Sequence, residues 1–113
     1  MIRRFMRGMK TITRERTDMK VYGSDLCPDC FEATENFDFN GLEYEFINIT
    51  DSMRTLKEFL KLRDTREEFA EAKAAGLVGI PAIVREDGSI TLDWEGYLEE
   101  EGFPVVFHHI WEE

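Results

Sequence analysis

Cys27 and Cys30 stand three residues apart in the segment Cys27-Pro28-Asp29-Cys30, and the chain has no other cysteine. Thiol-disulfide exchange needs a thiolate, which a free cysteine with a pKa of about 8.5 supplies poorly at neutral pH. A cysteine at the start of a helix lies beside unpaired backbone N–H groups and the positive end of the helix dipole, and both stabilise the anion. A second cysteine three residues on falls in the first turn. There it can attack a mixed disulfide on the first and release the substrate as a thiol. The expected division of labour is that Cys27 attacks and Cys30 resolves. Asp25 and Asp29 flank Cys27 and oppose a further negative charge, which predicts a comparatively reducing pair.

Two cysteines are too few for the disulfide framework of a small secreted domain, and a bridge between these two would close almost no loop. Redox work, metal binding and coincidence remain. The cysteines could join His108 and His109 at a metal, or two chains could share an iron-sulfur cluster through Cys27 and a thiol cofactor. Adjacent histidines point in different directions, however, and seldom hold one ion together.

The surrounding elements must place the pair. Met19 to Gly23 reads as a short strand, Ser24-Asp25-Leu26 as a loop, and Cys27-Pro28 as a helix start, because proline suits the first helical position. Phe31, Thr34 and Phe37 recur at helical spacing, and Asn40-Gly41 ends the helix. Tyr44 to Ile49 is rich in strand formers. Thr50-Asp51-Ser52 offers caps for a helix with Met53, Leu56, Phe59 and Leu60 on one face. Thr65-Arg66-Glu67-Glu68 has capping-box spacing, so the helix is expected to continue or restart at Thr65 with a bend between Arg63 and Thr65, and Phe69, Ala72 and Ala75 extend the apolar stripe to Gly76. Val78 to Val84 and Ser89 to Leu92 flank Asp87-Gly88, a strong hairpin signal. A short helix is expected around Tyr97 to Glu101, and Val105-Val106-Phe107 reads as strand or packed coil. The order β-α-β-α-β-β-α predicts an α/β fold, a four-stranded mixed sheet flanked by helices.

Length and composition suit one domain. The net charge of −10 is unevenly spread. Residues 1–18 carry six Lys or Arg against two acids, whereas residues 19–113 carry eight against twenty-two. We therefore read 1–18 as a flexible basic extension, with Met19 as an alternative start, and 19–113 as the domain. An acidic body repels phosphate backbones, which argues against nucleic acid as a partner. No apolar run is long enough for a membrane span or a secretory signal, so a cytoplasmic monomer is expected.

Cys27-Pro28-Asp29-Cys30 after a strand, with Gly79-Ile80-Pro81 before a hairpin, resembles the glutaredoxins across roughly residues 19–98. The resemblance implies a thioredoxin-like fold and a redox-active dithiol that reduces protein or small-molecule disulfides, with disulfide-containing proteins or small thiols as partners. It also implies a cis Ile80-Pro81 bond beside the cysteines, with the Ile80 backbone positioning substrate. Pro28, Asp29, Ile80, Pro81 and Trp94 are the substrate-binding residues it suggests. No tightly bound cofactor is implied. Glutathione enters as a co-substrate, and glutathione or a thioredoxin-reductase-type flavoenzyme as the reductant. Where glutathione-binding members carry a lysine three residues before the first cysteine, a tyrosine inside the motif and a Gly-Gly-x-Asp turn, this chain has Ser24, Asp29 and Asp93-Trp94-Glu95-Gly96. The other classes kept open are a metal or iron-sulfur carrier using the same cysteines and a non-catalytic binding module that holds an extended peptide at the Pro81 edge.

Overall fold

The computed structural model describes residues 19–106, so the basic extension 1–18, Phe107, His108 and His109 lie outside the described residues. The elements run β1 (Lys20–Gly23), α1 (Pro28–Phe39), β2 (Glu45–Asn48), α2 (Met53–Thr65), a 3-10 turn (Glu67–Phe69), α3 (Ala70–Ala74), β3 (Ala82–Val84), β4 (Ile90–Thr91) and α4 (Trp94–Glu101). The strands form one mixed sheet in the order β2-β1-β3-β4. β1 is parallel to β2 and antiparallel to β3, and β3 pairs with β4 across the Asp87-Gly88 turn. Gly88 takes a φ of 89° in that turn, a conformation that costs glycine little.

Strand alternation sends successive side chains to opposite faces, and each face has its own helices. Val21 and Ile83 pack with Ala33 and Phe37 of α1 and with Trp94, Tyr97 and Leu98 of α4. Tyr22, Ile47 and Ala82 pack on the other face with Phe59 of α2 and Phe69 of the 3-10 turn. The sheet is thus enclosed between two helical layers. Phe37, Phe59 and Phe69 are fully buried, each contributing about 1.5–3 kcal/mol by leaving water.

Local chemistry accounts for the boundaries. Pro28 opens α1, and Gly41, at φ 72°, follows its end. Ser52 Oγ accepts from the Thr55 N–H at 3.1 Å and caps α2. Asp93 Oδ1 accepts from the Gly96 N–H at 3.0 Å and caps α4.

Several expectations shift. Phe31 is 51% exposed, and α1 instead buries Cys30, Ala33, Asn36 and Phe37, a face turned one position along. Met53 is exposed on α2, where Phe59 is the buried residue. Of the two alternatives at Thr65 the helix continues: its hydroxyl donates back to the Lys61 carbonyl at 2.7 Å and α2 runs through it. The break falls at Arg66, and Ala75 is exposed. β3 begins at Ala82 rather than Val78: Gly79 sits at φ 98° and Pro81 has no N–H to donate to a ladder. α4 starts at Trp94, three residues before the expected helix, and residues 103–106 are irregular. Among the described residues, no helix is long and apolar enough to cross a membrane.

Candidate active site

The two cysteines occupy unlike environments one helical turn apart. Cys27 is the N-cap of α1, partly exposed, with extended backbone at φ −110° and ψ 116°. Its carbonyl accepts from the Phe31 N–H at 3.1 Å and so begins the helix, while its own N–H donates to the Ser24 carbonyl at 3.2 Å. Pro28 and Asp29 are exposed beside it. Cys30 is 1% exposed. Burial pushes the Cys30 thiol well above the usual range, and a hydrogen bond with the Cys27 side chain adds to this. The Ser24 backbone amide pulls the other way, and the charges of Cys27 and Asp29 raise the value further. Cys30 therefore keeps its proton and shares it with the outer sulfur. Both thiols are free.

Gly23 makes the space for Cys30. A Cβ at this position would lie 2.9 Å from Cys30 Sγ and 3.0 Å from Phe46 Cε1, closer than packed carbon and sulfur tolerate. Ser24, the next residue, is buried and holds the cysteine loop to the loop after β2. Its hydroxyl lies 2.9 Å from Thr50 Oγ1 and accepts from the Leu26 N–H at 3.0 Å. The Thr50 hydroxyl donates to Asn48 Oδ1 at 2.7 Å, so Ser24 is left as the donor to Thr50. Where the resembled family carries lysine, this chain has a buried structural fastener.

The Ile80-Pro81 peptide bond is cis. Tyr22 pairs with Ala82 in the antiparallel β1–β3 register, so continuing that register sets Pro81 across from Gly23, at the sheet end that carries the cysteines. Pro81 is buried and Ile80 half-buried. Trp94 is different: 5% exposed, it belongs to the core beside Phe37, Tyr97 and Leu98. Packing is the role its position shows, in place of the groove-lining role suggested by resemblance.

A cleft of about 330 Å³ opens between α1 and the edge strand β2, lined mainly by Asp25, Cys30, Phe31, Asp38, Tyr44 and Phe46. Phe46 points to the α1 face, as Val21 does across the parallel register, yet remains 37% exposed because β2 is an edge strand. Tyr44 donates to Asp38 Oδ1 at 2.7 Å on the cleft wall. Gly23, Ser24, Thr50 and Phe46 escaped sequence reasoning; the single available signal was a glycine ending a strand just before the cysteine loop. Among the described residues, no group of three or more His, Cys, Asp or Glu is placed to hold a metal ion.

A Haemophilus influenzae protein described as uncharacterized is 36% identical over 73 residues, which cover 65% of this chain and 85% of that protein. The chain belongs to the same family. No family model matches the chain. In this chain the site combines an outer thiol at a helix cap, an inner protonated thiol against a bare strand glycine, and a cis-proline segment at the same end of the sheet.

Proposed function

We propose that the chain is a thiol-disulfide oxidoreductase of the glutaredoxin-like kind, with a thioredoxin-like fold. The observation that carries this reading is the asymmetry of the pair: Cys27 half-exposed at the α1 cap and Cys30 buried one turn later, hydrogen-bonded to it. The mixed sheet order β2-β1-β3-β4, with helices on both faces, supports the fold.

In the forward reaction the Cys27 thiolate attacks one sulfur of a substrate disulfide R–S–S–R′. A Cys27–S–R bond forms, the substrate S–S bond breaks, and R′S⁻ leaves and takes a proton. Cys30 then loses its proton and attacks Cys27 Sγ, so that the Cys27–Cys30 disulfide forms and RS⁻ departs. Two electrons pass from the dithiol to the substrate. An external thiol or dithiol, glutathione or the active-site dithiol of a reductase flavoenzyme, restores the reduced pair by the reverse exchange. Pro28, Asp29 and the Ile80-Pro81 segment flank the reacting sulfur as the substrate-facing backbone.

The test is reduction of bis(2-hydroxyethyl) disulfide and of insulin by the full chain with each donor. Cys27→Ser abolishes turnover, and Cys30→Ser accumulates a mixed disulfide visible by mass. Turnover undiminished by Cys27→Ser would sink the reading. Stable binding of an extended peptide without any exchange would favour the binding-module alternative.

A further inference from the structure

The three loops at the cysteine end of the sheet carry large apolar side chains into solvent. Leu26 before Cys27 is 79% exposed, Met53 at the start of α2 is 70% exposed, and Leu77 and Val78 before β3 are 60% and 53% exposed. Ser24 and Thr50 fasten the first two of these loops to each other. The third is held from below, because Arg63 Nε donates to the Val78 carbonyl at 2.8 Å and Arg63 Nη2 to the Leu77 carbonyl at 2.6 Å. These side chains are therefore displayed on anchored backbone, which reduces the ordering cost of binding.

The stretch of chain that carries the cysteines is acidic throughout. Residues 21–53, which include the cysteine loop, α1 and β2, carry eight Asp or Glu and no Lys, Arg or His. Asp25 and Asp38 line the cleft beside Cys30, and Asp29 is exposed within the motif. Of the cations outside this stretch, Arg63 is taken up in the loop clamp and Arg66 bonds the Gly88 carbonyl and Glu68 at the opposite end of the sheet, whereas Arg54 beside Met53 is exposed. The cleft volume lies at the small end of ligand sites, about 300–1,000 Å³, and its exposed aromatic wall suits one or two side chains.

Building on the oxidoreductase reading, we infer that the cysteine end is a docking surface for a disulfide-bearing polypeptide with basic and apolar side chains around its cysteine, and that it discriminates against acidic disulfides such as oxidised glutathione. Apolar contacts from Leu26, Met53, Leu77 and Val78 hold the chain, and the acidic field of the α1–β2 unit selects its charge. The electron transfer is the two-electron exchange already written, with the reduced Cys27–Cys30 dithiol as reductant.

Pre-reduced full-length protein is followed through a single turnover with three probes. These are a peptide disulfide with Leu and Lys flanking the cysteines, the same peptide with Glu in place of Lys, and neutral bis(2-hydroxyethyl) disulfide. At low ionic strength the Lys peptide reacts at least about 10-fold faster than the Glu peptide, and the ratio shrinks in 0.5 M salt. Asp25→Asn with Asp38→Asn lowers the ratio, whereas Glu101→Gln at the far end of α4 leaves it in place. Leu77→Ser with Val78→Ser slows the Lys peptide. Equal rates for the two peptides, with Cys27-dependent reduction of the neutral disulfide intact, overturn the substrate class and leave the oxidoreductase reading standing. The substrate class is overturned in the same way if the basic residues 1–18 of the same chain already occupy the surface. Failure to reduce any of the three overturns both.

Discussion

Cys30 ties its chemistry to the stability of the fold. Its thiol is held protonated in the native state, chiefly by burial, whereas the unfolded chain releases that proton near pH 8.5. A native value above the unfolded one stabilises the fold fully below about pH 8.5, and the contribution is lost as pH rises beyond it. Urea unfolding between pH 8.5 and 10 should therefore show stability falling by up to about 1.4 kcal/mol per pH unit. Cys30→Ala should flatten that slope. Tyr22 and Tyr44 are also raised by burial, with Glu58 and Asp38 as the acidic partners of their hydroxyls, but they begin to count only above about pH 10. An unchanged slope in Cys30→Ala would remove the cysteine from the explanation. Gly23 sets the second residue-scale constraint. Gly23→Ala should cost about 1–3 kcal/mol by forcing Cys30 and Phe46 apart, read from the urea midpoint; a variant as stable as the parent would show that the helix start can yield.

At the scale of elements, the Arg63 clamp links α2 to the loop before β3. Arg63→Gln should lose about 1 kcal/mol and make the Leu77–Val78 segment the first site of limited proteolysis; unchanged cleavage there would mean the loop is held by other contacts. The elements also show what could be read in advance. The cysteine helix was legible because Pro28 and Gly41 mark its ends by backbone chemistry alone. Its buried face was not, since Phe31 and Phe37 are equivalent by composition and only the position of the sheet decides which is covered. The Thr65 box could not decide between continuation and restart, because a threonine hydroxyl can satisfy the carbonyl four residues back as readily as a cap. At the site, the Cys27–Cys30 spacing and Pro81 stood out by residue type. Gly23, Ser24 and Phe46 did not, because their roles arise only when β1, α1 and β2 meet.

Across the whole molecule, the far end of the described chain is fastened to the helix that bears the thiols. Asn36, fully buried in α1, accepts from the Val106 N–H at 2.7 Å through Oδ1 while its Nδ2 donates to the Glu32 carbonyl at 2.9 Å. Asn40 Nδ2 donates to the Pro104 carbonyl at 3.1 Å. Asn36→Ala should cost about 1–3 kcal/mol, the penalty for a buried polar group left without its partner, as measured by thermal or urea unfolding. Val106 belongs to no helix or strand, yet its amide should take up deuterium as slowly as amides inside α1. Peeling the carboxyl-terminal strap away and fraying the thiol-bearing helix then become a single opening event.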